Sequence, residues 1–81
     1  MVFLEFTARF RHDGKHYFVG QSVKDVLAGT HGGTTFGGYD FTSYRQVMEE
    51  EVRSLGLWYF EEGVAAVAAG TYKSFKLGLG V

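Results

Sequence analysis

The chain has 81 residues, 46% of them apolar and 17% aromatic, with 8 basic against 9 acidic side chains and no cysteine. A chain of this length supports one domain around one core and hides only about 60% of its unfolded surface, while its apolar content removes it from the disordered class. The missing cysteine excludes a disulfide framework and a thiolate metal site, and the balanced charge argues against a domain-wide phosphate-binding surface.

The first ten residues alternate in character. Val2, Leu4, Phe6, Ala8 and Phe10 interleave with Phe3, Glu5, Thr7, Arg9 and Arg11, the period-two pattern of a half-buried strand whose even residues face the core. Asp13-Gly14 is a preferred two-residue hairpin turn. It predicts His12 opposite Lys15 and Arg11 opposite His16, with Tyr17 and Val19 on the core face and Arg9, Arg11, His16 and Phe18 outside. Ser22 caps a short predicted helix that ends at Gly29, and the glycine-rich stretch 29–41 reads as a long loop.

The main amphipathic helix is predicted over residues 43–55. There Ser43 and Gln46 have capping-box spacing, Tyr44, Val47, Met48, Val52 and Leu55 share a face, and Gly56 stops the element. Glu49 and Arg53 are expected to pair one turn apart on its wet side. Residues 57–60 read as a strand, 61–63 as a hairpin loop with Gly63 left-handed, and 64–69 as a strand despite their alanines. Residues 71–77 read as the last full strand. The expected fold is therefore α+β: a small antiparallel sheet of two hairpins, about four to five strands, packed on one main amphipathic helix with a short helical turn. No internal repeat or linker divides the chain, so residues 1–81 are read as a single domain.

Three function classes fit this profile, ranked by how much each requires. A non-enzymatic protein-binding or regulatory domain of the adaptor or inhibitor type needs only a stable scaffold with exposed aromatics and separated charge. Its expected surface is the acidic set Glu49, Glu50, Glu51, Glu61 and Glu62, although acids on a solvated helix face are the commoner arrangement. A nucleic-acid-binding domain is the alternative, using the basic and aromatic hairpin face of Arg9, Arg11, Lys15, His16 and Phe18, which is also an ordinary composition for a solvated face. A small oligomeric enzyme or ligand-binding protein comes third, with a pocket drawn from His31, Tyr39, Asp40 and Tyr59.

No catalytic residues, cofactor or metal are predicted: His12 and His16 straddle a turn instead of sharing a helix face, and the glycine-rich loop lacks the lysine of a phosphate-binding loop. The terminal Leu77, Leu79 and Val81 form an apolar edge that invites pairing in a homodimer. A cytoplasmic protein without membrane contact is expected, since Met1-Val2-Phe3-Leu4-Glu5 lacks the basic start of a signal peptide and no segment has the length of a span.

Overall fold

The computed structural model describes residues 1–8, 14–30 and 41–79. It is an α+β domain in which a four-stranded antiparallel sheet carries three helices. In chain order the elements are β1 (Val2–Ala8), β2 (Lys15–Gly20), α1 (Val23–Thr30), β3 (Phe41–Val47), α2 (Glu49–Arg53), α3 (Phe60–Ala68) and β4 (Ser74–Leu79), and the strands lie in the order β3-β1-β2-β4.

β1 and β2 form the centre, and their register departs from the two-residue turn. His16 lies opposite Phe6 instead of Arg11, Tyr17 opposite Glu5, Phe18 opposite Leu4 and Val19 opposite Phe3. Because side chains alternate along a strand, this odd shift exchanges partners between faces. Phe3, Tyr17, Val19, Val47 and Leu77 join Val52 of α2 and Phe60 and Val67 of α3 on one face, while Leu4, Phe6 and Phe18 join Val26 of α1 on the other. Both faces of the central pair are thus buried, which the alternating pattern of β1 concealed. Each fully buried apolar side chain contributes about 1.5–3 kcal/mol by leaving water.

The helices form for different local reasons. Ser22 Oγ accepts the Asp25 backbone N–H at 3.1 Å, the expected N-cap of α1. Neither α2 nor α3 has a side-chain cap, but each begins with glutamates that complement its N-terminal dipole: Glu49, Glu50 and Glu51 in α2, Glu61 and Glu62 in α3. The single helix expected over residues 43–55 is instead β3 followed by α2. Phe41, Thr42, Tyr44 and Val47 are residues that favour an extended chain, and pairing with β1 outweighs the helical spacing of Tyr44 and Val47.

The strand expected at 57–60, the hairpin at 61–63 and the strand at 64–69 are replaced by a turn over residues 57–59 and by α3, the main helix packed on the sheet. Alanine propensity prevails there because Gly63 lies within the helix instead of ending it. Its missing side chain lets α3 approach β4: a Cβ would overlap Leu77 and stand 2.9 Å from Phe75 Cδ1. The last strand begins at Ser74, later than expected, after α3 closes at Gly70 (φ 78°) with Thr71 N–H donating to Ala66 O.

Candidate functional site

The central polar feature is a row across three strands. Register places Glu5 of β1 between Arg45 of β3 and Tyr17 of β2 on the face covered by α2 and α3. Arg45 Nε and Nη2 donate to the Glu5 carboxylate at 2.9 and 3.2 Å, and Tyr17 Oη donates to it at 2.8 Å. Arg45 Nη2 also reaches Glu51 of α2 at 2.7 Å, which ties the helix to the sheet edge.

Burial pushes the Glu5 carboxyl up, but hydrogen bonds from Arg45 and Tyr17 and the charges of Arg45 and Lys15 outweigh it, leaving the group below its ordinary 4.5. The same burial, with the Glu5 hydrogen bond and charge, pushes the Tyr17 phenol up to about 12. A carboxylate saturated by donors and held below its usual range is a weak base. The row therefore acts as a clasp, joining β3, β1, β2 and α2.

The second feature is a surface built by α2, the segment before α3, and the first turn of α3. Arg53 donates to Glu49 at 2.8 Å, one turn back as expected, and to Glu61 at 3.0 Å across the intervening turn. Its guanidinium also lies 4.6 Å from the Phe60 ring centroid. One cation thus gathers acids from both helices, while the exposed Glu50 and Glu62 enter none of the ion pairs among the described residues. Next to these acids in sequence stand exposed apolar side chains: Met48 precedes α2, and Trp58, 88% exposed, and Tyr59 precede α3. Tyr59 N–H donates to Leu77 O, placing this segment beside β4.

The other predicted sets fare differently. His16 and Phe18 are interior, at 1% and 0% exposure, because the register turns them toward α1, so they form no part of an outer nucleic-acid face. Lys15 is half-buried and donates to Thr7 Oγ1 at 3.0 Å, and Arg9 and Arg11 lie outside the described residues. Of the pocket set, Tyr59 is exposed, whereas His31, Tyr39 and Asp40 lie outside the described residues. Leu77, expected at an oligomer interface, is fully buried in the core beneath α3; the Leu79 side chain and Val81 lie outside the described residues. Among the described residues no three His, Asp or Glu side chains gather as a metal site would need, and no helix is long and apolar enough to cross a membrane.

Sequence reasoning missed the clasp and the exposure of Trp58. Glu5 in an apolar alternation signalled a paired acid, but naming its partners needed the register of β3. Trp58 was assigned to a strand that the chain does not form there. No family model, curated protein or solved structure matches the chain.

Proposed function

We propose that this chain is a non-enzymatic protein-binding domain of the adaptor or inhibitor type, which engages a basic surface on its partner through α2 and the start of α3. The exposure of Trp58, in the segment that joins the glutamates of α2 to those of α3, carries the reading. Tryptophan is enriched among residues that dominate binding energy, and one left largely in water contributes little to this core. The acids supply the complementary rim. Arg53 and Arg45 offset part of their charge, leaving Glu50 and Glu62 to steer a cationic partner. A reducing, cytosolic setting accords with a sequence that lacks cysteine.

A tagged pull-down from host lysate, with and without nuclease, tests this against Trp58→Ala and Glu50→Lys/Glu62→Lys. The expected result is a protein that survives nuclease treatment and is lost with either variant, the charge variant more so at low salt. Retention unchanged by both variants would remove this surface from the function. Recovery abolished by nuclease in the parent protein would transfer the function to nucleic-acid binding.

A further inference from the structure

The two edges of the sheet are not equivalent. β4 packs against α3 and α1, carries Lys76, is irregular opposite Tyr17 and Phe18, and has Tyr59 N–H on its Leu77 carbonyl. Each of these is a device that blunts an edge. β3 has seven residues, contains neither proline nor lysine, and exposes four in succession, Ser43, Tyr44, Arg45 and Gln46. Its one cation does not guard the edge, because Glu5 and Glu51 draw the Arg45 guanidinium back over the sheet and α2.

On the α1 face an aromatic row of described residues runs to this edge. The Phe18 and Phe6 rings meet edge to face at 5.0 Å, and Phe6 meets Tyr44 at 5.6 Å. Among the described residues Tyr44 is the outermost ring of this row, 47% exposed, with Phe6 on its inner side.

We infer that β3 pairs antiparallel with β3 of a second copy, about a two-fold axis at Tyr44, joining two sheets of four strands into one of eight. This register is self-complementary. Tyr44 meets Tyr44 of the second copy and continues the aromatic row into that copy's Phe6 and Phe18, while Ser43 meets Arg45 in both directions. The main-chain donors and acceptors that β3 presents outward find partners in the same step. Glu51 approaches the β3 edge through Arg45, whereas the segment of Trp58 and Tyr59 lies on the β4 side, so pairing through β3 leaves the Trp58 end of the proposed partner surface open.

The test is the mass of the intact protein in solution by sedimentation over a range of concentrations, for the parent, Tyr44→Lys, Tyr44→Glu and an equimolar mixture of the two variants. A dimer is expected for the parent. Each variant alone, placing like charges opposite each other, weakens dimerisation by about tenfold or more. The mixture restores it, because lysine then faces glutamate. Ser43→Lys gives a second reading that leaves the Phe6–Tyr44 contact untouched: it puts a lysine, the usual guard of an unpaired edge, on β3 of both copies and also lowers the mass. A parent protein that stays monomeric overturns the inference, as does a dimer indifferent to Tyr44→Lys and Ser43→Lys or variants whose mixture remains monomeric. Circular dichroism on each sample establishes that the variants are folded.

Discussion

Tyr17 Oη and the Glu5 carboxylate, directly opposite each other on the two central strands, are joined at 2.8 Å beneath the helices, and Arg45 closes the same carboxylate from the far side. Removing the phenol leaves the acid one donor short in a buried position. Tyr17→Phe is therefore expected to lose about 1–2 kcal/mol in urea unfolding. Because Glu5→Gln disrupts the same bond, the double variant should lose less than the sum of the single ones. Additive losses would show that the two groups do not act together.

The clasp also sets a pH window for stability. Glu5 titrates lower folded than unfolded, so its contribution is present above about pH 4.5 and is lost as pH falls through the lowered folded value. Tyr17 titrates higher folded, so its contribution is present below pH 10 and is lost as pH rises through 10 toward about 12. Melting temperature against pH should fall on both sides. Glu5→Gln flattens the acid limb and Tyr17→Phe the alkaline limb; an alkaline limb unchanged in Tyr17→Phe would assign it to other groups.

Fold class was legible because β1 alternates and α1 has its cap, but the assignment of segments was not. Tyr44 and Val47 satisfy both a helical face and a strand, and only the hydrogen-bonding edge of β1 decides between them. Phe18 looked like an outer-face residue because the turn at Asp13-Gly14 was given the shortest loop. The observed pairing of Thr7 with Lys15 needs a longer connection and reverses which residues share a face. The Glu49–Arg53 pair was legible, because it needs only one helical turn. What brings Glu61 to the same Arg53 is the tertiary placement of α3, which no local pattern encodes.

Gly63 offers a test of how closely α3 sits on β4. Alanine is the better helix former by about 0.8–1 kcal/mol, so an exposed helical glycine gains stability when replaced. Here the added methyl meets Leu77 and Phe75, and forcing it into a packed layer costs about 1–3 kcal/mol. Gly63→Ala is expected to lower stability in urea unfolding despite its propensity, and Gly63→Val to lower it further. A stabilised Gly63→Ala would mean that the layer yields to the methyl.

Trp58 is the sole tryptophan, so its fluorescence reports this one surface. An indole 88% exposed should emit as in water, be readily quenched by acrylamide, and change little when urea unfolds the chain. Trp58→Ala should alter stability by no more than about 0.5 kcal/mol, since the side chain adds little to the core. The segment carrying Trp58 lies by β4, at the opposite edge of the sheet from β3, so pairing through β3 leaves the indole in water. A blue shift with protection from quencher is therefore expected only when a basic partner covers the acidic surface. The same shift in the isolated protein, increasing with its concentration, would instead place a second copy on Trp58 and move the self-association surface from β3 to the helices.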